Sequence, residues 1–365
     1  MKVWLMCLRS AAVCGLAASL VAACSGASTS DPGAAGPDGG DGPDGGEVDA
    51  PSGSKDDAAT KNPDGATVPS GPDTIQVLVE PTDNAQALLA AVQGAKSSVH
   101  MTMYLMNDKR FIAALIAQHK AGRDVKVLLN QTFPGGAGTN QPTFSELQMA
   151  GVAVAWAPST FALTHEKCVV IDGAQAWIMT MNLQTTSSSN REFLAVDTQA
   201  ADVKEADAMF AADFANTPFT PSGDLLVAPV NARDRLVALI KGAKTSVDLE
   251  GEELSDTTVV ATLVAAKNAG ATVRVVLADN APSASQSSAV IKLKAASIPV
   301  VKVASPYIHA KAIVVDGARA YVGSENFTTG SLQYNRELGI ITTNASSAGA
   351  VSAAIAQDFA AGTAL

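Results

Sequence analysis

Two stretches of this chain repeat one another: His165–Asn182 reads H-E-K-C-V-V-I-D-G-A-Q-A-W-I-M-T-M-N, and His309–Asn326 reads H-A-K-A-I-V-V-D-G-A-R-A-Y-V-G-S-E-N. Both place Lys at +2 from the histidine, Asp at +7 and Asn at +17, and both are followed by Asn-Arg-Glu, at Asn190–Glu192 and Asn335–Glu337. With only four histidines in 365 residues, this coincidence marks a duplication, and whatever the first copy folds into the second must fold into as well.

The spacing predicts a local structure. Val169, Val170 and Ile171, and likewise Ile313, Val314 and Val315, are β-branched runs suited to a buried strand. Residues i and i+2 of a strand share a face, so His165 with Lys167, and His309 with Lys311, present an imidazole and an ammonium together. Asp172-Gly173 and Asp316-Gly317 read as tight turns into a second apolar strand ending at Asn182 or Asn326. Two adjacent strands thus bring His, Lys and Asn to one spot suited to an anion.

The likeness extends beyond the motif. Gln93–Val99 (QGAKSSV) matches Lys241–Val247 (KGAKTSV), and Asp124–Leu129 matches Thr272–Leu277. Each half reads as strand and helix (near 75–95 and 225–243), strand (98–105, 246–250), helix (109–121, 257–269) and strand (124–130, 272–278). Another helix and short strand, the His/Lys hairpin, a strand carrying Glu192 or Glu337 and a closing helix complete it. Alternating strands and helices predict an α/β class with two similar α/β/α sandwich halves, mostly parallel sheets and a pseudo-twofold axis between them. The halves are expected at 74–218 and 219–365, joined near Thr217–Gly223 (TPFTPSG). Because they mimic a dimer, a monomer is expected.

The start of the chain is different. Lys2 and Arg9 flank an apolar run from Ala11 to Ala23, too short for a comfortable membrane span, so residues 1–23 read as an export signal. Val21-Ala22-Ala23-Cys24 resembles the lipobox of bacterial lipoproteins, which implies cleavage before Cys24 and lipidation of its thiol. Ser25 follows Cys24 rather than an aspartate, which favours the outer membrane. Residues 24–73 hold Gly-Pro-Asp-Gly-Gly twice and ten acids against two lysines, a composition that reads as a disordered acidic tether. Cys168 alone is left for the folded part, so no disulfide framework is expected, and its strand parity makes it a packing residue.

Residues 74–365 carry 21 basic and 25 acidic side chains. A protein that tracks a long DNA backbone usually shows a basic face, so nucleic acid is a weaker expectation than a small anionic substrate. Neither a metal nor a cofactor is expected: each motif histidine has a lysine neighbour that repels a cation, and no Cys/His cluster has ligand spacing. Glu250, Glu252 and Glu253 read as a solvated loop. Tyr104, Trp156, Phe161, Tyr307 and Phe327 read as core more than as the lining of a lipid-chain cleft.

The paired H-x-K-x4-D motifs, with Gly323-Ser324-Glu325-Asn326 after the second, resemble the phospholipase D superfamily over about residues 75 to 365. The resemblance implies phosphodiester chemistry through a covalent phosphohistidine at one site shared by the halves; the expected anchor and the modest acidity of the folded part, rather than the motif, favour phospholipid at a membrane surface as substrate. A periplasmic or surface nuclease, or an idle anion-binding lipoprotein, are the alternatives. It makes His165, Lys167, Asp172, His309, Lys311 and Asp316 the catalytic candidates, the two aspartates standing at turns where a structural part is at least as natural. Of the supporting residues, Thr180, Asn182, Ser324 and Asn326 are expected to hydrogen-bond the phosphate, and Glu192 and Glu337 to accept from an imidazole. By the same resemblance His165 would attack phosphorus and His309 protonate the departing oxygen, an order that the sequence alone leaves open. One departure stands out: Met179-Thr180 replaces the family's Gly-Ser, which predicts a tighter first half-site.

Overall fold

The computed structural model describes residues 74–133 and 139–365; the expected signal, Cys24 and the tether lie outside them. The first half runs β1 (Gln76–Glu80), α1 (Gln86–Gly94), β2 (Ser98–Met103), α2 (Lys109–Lys120), β3 (Asp124–Leu129), α3 (Gln141–Met149), β4 (Ala153–Trp156), β5 (Lys167–Ile171), β6 (Gln175–Met179), β7 (Asn190–Asp197) and α4 (Ala200–Phe214). The second runs β8 (Leu226–Ala228), α5 (Ala232–Lys241), β9 (Ser246–Gly251), α6 (Thr257–Asn268), β10 (Thr272–Ala278), α7 (Ala284–Ala295), β11 (Val300–Val303), β12 (Tyr307–Ile308), β13 (Lys311–Val315), β14 (Arg319–Gly323), α8 (Thr329–Tyr334), β15 (Glu337–Thr342), α9 (Ala345–Ala361) and β16 (Thr363–Ala364).

Each half builds one sheet, ordered β1-β7-β6-β5-β2-β3-β4 and β16-β11-β10-β9-β13-β14-β15-β8. The α/β class is as expected, but the sheets are mixed rather than mostly parallel. β2-β3-β4 and β9-β10-β11 run parallel because helical crossovers join them, and β12 of the second half adds a short parallel pair with β7 of the first. The Asp-Gly turns fold β5 back on β6 and β13 on β14, and every pair built on those hairpins is antiparallel. Asp172 and Gly173 both have positive φ, as do Asp316 and Gly317. The β-turns closed by Ala174 N on Ile171 O and by Ala318 N on Val315 O, inside three-residue loops, take that geometry, and Asp is among the few side chains that tolerate it. β5 and β13 are buried at every residue, which is why, past Lys167 and Lys311, their sequence is continuously apolar rather than alternating.

Side chains from both sheets meet in one core: Cys168, Val170 and Ile178 of the first half pack with Ala312, Val314 and Val322 of the second, along with α4 and α9. Two further cores lie beneath α1, α2 and α3, and beneath α5, α6 and α7. The carboxylates of Asp108 and Asp256 cap α2 and α6, accepting from Arg110 N, and from Thr258 N and Val259 N. The closing helices tie the halves together. Arg191 of β7 is clamped by Asp358 of α9 (2.6 Å), and Arg336, one residue before β15, by Asp213 of α4 (2.8 Å). All four side chains are buried.

Candidate active site

The two motif histidines are positioned by exchange between the halves. The segment before β5 pairs with the second half, where His165 N and Glu166 N both donate to Arg336 O, at 2.9 and 3.1 Å. Reciprocally, β12 pairs in parallel with Asn190 and Arg191 of β7, and His309 N donates to Arg191 O at 3.3 Å. The side chains follow the backbone. His165 Nδ1 lies 2.8 Å from Glu337 Oε2, and His309 Nδ1 lies 2.8 Å from Glu192 Oε1. Each histidine therefore takes its carboxylate from the opposite half.

This arrangement sets the tautomer. Nδ1 of His165 also faces the carbonyl of Ser324 at 3.2 Å, so Nδ1 keeps its proton and Nε2 is left with the lone pair. Burial is the largest influence on His165, Lys167 and Lys311 act in the same direction, and Glu337 opposes them; the imidazole is pushed down to about 4. At neutral pH it is a free base. Glu337 is itself locked by Ser331 Oγ (2.6 Å) and Asn335 Nδ2 (3.1 Å), and Glu192 by Thr180 Oγ1 (2.6 Å). Both carboxyls stay ionised below the usual range although burial pushes the other way, because an imidazole and a lysine face each of them.

Lys167 and Lys311 are wholly buried, each ammonium curling back to the carbonyl of its own histidine at 2.5 and 2.6 Å. Burial lowers Lys167 to about 7, with Lys311 adding to the effect and Glu337 opposing it. An anion beside Lys167 restores its charge, which is the electrostatic mark of an anion site. Above them lies a cavity of 460 Å³ whose wall includes His165, His309, Asn182, Asn326, Tyr104 and Glu252. Oδ1 of Asn182 and Oδ1 of Asn326 are buried without a partner. The cavity wall thus gathers two imidazoles and two amides, with the two ammoniums buried against the histidine carbonyls, a set suited to an anionic phosphorus centre.

Four expectations are corrected. Asp172 and Asp316, expected among the catalytic residues, sit at the far ends of β5 and β13, seven residues and roughly 20 Å of extended chain from their histidines. Asp172 accepts from Lys96 N, Ser97 N, Ser98 N and Ser97 Oγ, and Asp316 from Lys244 N, Thr245 N, Ser246 N and Thr245 Oγ1. They pin the G-A-K-S and G-A-K-T turns, which accounts for those turns recurring in the sequence. Thr180 and Ser324, expected on the phosphate, are fully buried behind the site: Thr180 serves Glu192, and each oxygen accepts from the strand beside it, from Phe193 N or Leu338 N. Met179 does not tighten the first half-site. It packs in the core, and the room left by Gly323 is filled by the Tyr321 and Glu325 side chains, not by the cavity. Glu250 and Glu252 are not a solvated loop: Glu250 is fully buried on β9, and Glu252 meets Lys311 at 2.9 Å.

Other side chains fall where the sequence placed them or close by. Cys168 is buried and free, its thiol pushed far up by burial. Phe327 is core, Trp156 stacks on Phe144, and Phe161 lies over the Arg336 guanidinium. Tyr104 and Tyr307 reach the site instead: the Tyr104 ring is edge-on to His165 at 4.5 Å, and Tyr307 Oη donates to Glu252 at 3.0 Å. Sequence reasoning also missed Ser331 and the two motif arginines as positioning groups. The arginines carried a signal, since Asn-Arg-Glu recurs in both copies; Ser331 carried none. Among the described residues no group of three His, Cys, Asp or Glu side chains is arranged to hold a metal ion.

Comparison with known proteins agrees with this geometry. The family described as "Cardiolipin synthase, PLD-like domain" matches residues 88–214 and again residues 236–361. No curated protein matches. Among solved structures, phosphatidylserine synthase from Haemophilus influenzae Rd KW20 superposes with a TM-score of 0.61 at 10% identity, covering 80% of this chain and 87% of that one. Polyphosphate kinase from Porphyromonas gingivalis gives a TM-score of 0.61 at 16% identity over 77% of this chain, which spans only 46% of the kinase. A phospholipase D family member, Nuc from Salmonella typhimurium, matches at 22% identity over 39% of this chain and 95% of its own, with a TM-score of 0.37. Two copies of the domain, each supplying one histidine and the carboxylate for the other's, place this chain in the phospholipase D-like superfamily of enzymes acting on phosphodiester bonds.

Proposed function

We propose that the protein hydrolyses phospholipids at a membrane surface, releasing the head group and leaving phosphatidic acid. The observation that carries this reading is the pairing of a proton-free imidazole, His165, with a second imidazole, His309, in the wall of one small cavity above two buried lysines. In the first step the Nε2 lone pair of His165 attacks phosphorus. The bond from phosphorus to the head-group oxygen breaks, and His309 gives its Nε2 proton to that oxygen. In the second, His309, now a base, takes a proton from water; the water oxygen bonds to phosphorus and the phosphorus–nitrogen bond to His165 breaks. Lys167, Lys311, Asn182 and Asn326 hold the non-bridging oxygens through both steps.

Lipid is preferred over nucleic acid because no arginine or lysine is among the residues that line the cavity, whose wall instead carries Glu252 and Glu253. Flanking phosphates of a polynucleotide would meet carboxylates there. Lipidation at Cys24 would hold such a cavity at a bilayer, with an outer-membrane location following from Ser25. The test is a panel of phosphatidylcholine, phosphatidylethanolamine, cardiolipin and single-stranded DNA given to the full-length protein. Phosphatidic acid should appear from lipid well ahead of any DNA cleavage. Robust nuclease activity with no phosphatidic acid would refute the lipid reading.

A further inference from the structure

The duplicated halves differ at one position inside the cavity. β2 and β9 pair alike with β5 and β13, Met103 opposite Lys167 and Gly251 opposite Lys311. The next residue in each strand then donates its N–H to the carbonyl between motif His and Lys: Tyr104 N to Glu166 O, and Glu252 N to Ala310 O. Tyr104 and Glu252 are thus the same residue of the two copies. In the first half that residue is a neutral ring beside His165 and 4.9 Å from the Lys167 ammonium. In the second it is a carboxylate, with Oε2 2.9 Å from Lys311 Nζ and 3.6 Å from His309 Nε2. Lys167 is held in the same place without any such carboxylate, so anchoring the lysine does not explain Glu252. Glu253 continues the acidic wall at the rim, while Leu163 continues the neutral wall on the other side.

We infer that Glu252 is a specificity residue for a cationic group on the departing alcohol, so that the preferred substrate is a zwitterionic diester releasing an amino alcohol. This rests on the phospholipid reading above. His309 Nε2 hands its proton to the bridging oxygen of the leaving group, and the ammonium of an amino alcohol lies two carbon atoms beyond that oxygen. A group so placed falls beside the carboxylate that neighbours the same nitrogen. A neutral alcohol brings no cation to Glu252 and Glu253, and an anionic one would meet them as like charge.

The test is a comparison of phosphoethanolamine, phosphocholine and glycerol phosphate binding to the full-length protein by calorimetry, which needs no turnover. Head-group release from vesicles of equal phosphatidylethanolamine and phosphatidylglycerol is followed alongside it. The wild type should prefer the two amine-bearing ligands by at least about tenfold, and ethanolamine release should exceed glycerol release similarly. Glu252→Gln should bring the binding preference below about threefold, and Glu252→Asp should retain most of it. A wild-type binding ratio near one overturns the inference without any variant, even if Glu252→Gln fails to fold. An unchanged ratio in a folded Glu252→Gln protein overturns it equally. Failure of the lipid reading appears differently, as discrimination among the soluble ligands with no release from any vesicle.

Discussion

Asp316→Asn separates the structural from the catalytic reading of the motif aspartate. Asn tolerates the positive φ of this position, 55°, so the substitution removes the charge without adding backbone strain. The carboxylate holds three backbone N–H groups and one hydroxyl, which keep it down at about 2 against an ordinary 3.8. Taken whole, that shift corresponds to about 2.4 kcal/mol; discounted for the partial exposure of the turn, about 1–2 kcal/mol remains. A unit of this size should then lose roughly 3–6 °C in Tm at pH 7. A carboxyl with a depressed folded value contributes its stability above its unfolded value, near 4, and loses it as pH falls through its folded value. The gap between wild type and variant, measured by thermal unfolding, should therefore close between about pH 4 and pH 2. Phosphodiesterase activity at pH 7 should stay within about threefold, because no contact of Asp316 reaches the cavity. A hundredfold loss of kcat at unchanged Tm would refute this account of the motif.

Three further outcomes are expected. His165→Asn and His309→Asn should each lower turnover by roughly 10²–10⁴-fold or more rather than halve it, since attack and protonation belong to one reaction; about half the wild-type rate in either variant would mean two independent sites. The acid limb of kcat/KM should fall near pH 4 rather than near 6.5, because burial keeps His165 unprotonated down to about 4, and a limb near 6.5 in a pH–rate series would contradict that placement. Arg336→Met leaves Asp213 buried without its cation and should cost about 3–5 kcal/mol by urea denaturation; a loss below 1 kcal/mol would show that the cross-brace contributes little.

Much of the fold was legible because the chain states it twice. The boundaries of α2, α6, β3 and β10 follow from hydrophobic periodicity, and the Asp-Gly turns fall at the two hairpins. The His, Lys and Glu of the site were legible for the same reason. What stayed hidden depends on partners distant in sequence. Nothing local tells Thr180 that its hydroxyl will face Glu192 rather than a substrate, or that Glu337 belongs to His165 instead of its own half's His309. Glu252 was misread because charge beside charge in Glu252-Glu253 looks like a solvated loop, and only the β9–β13 register puts it against Lys311. The parallel character of the sheets was overestimated for a related reason: strand–helix alternation announces the parallel strands, while the antiparallel pairings that outnumber the parallel ones grow from two hairpins that carry no helix.

The exchange of carboxylates also fixes when in the life of a molecule the site can exist. A chain is made from its amino end, so β7 is complete long before the second half has been translated. At that stage Glu192 has no imidazole opposite it and Arg191 no acid. His309 arrives 117 positions after Glu192, and Asp358, which clamps Arg191, comes almost at the close of the chain. His165 waits equally for Glu337. A prefix of the polypeptide that stops short of β15 lacks Glu337 and leaves His165 without its carboxylate, so the paired site can form only once β15 has been made and docked.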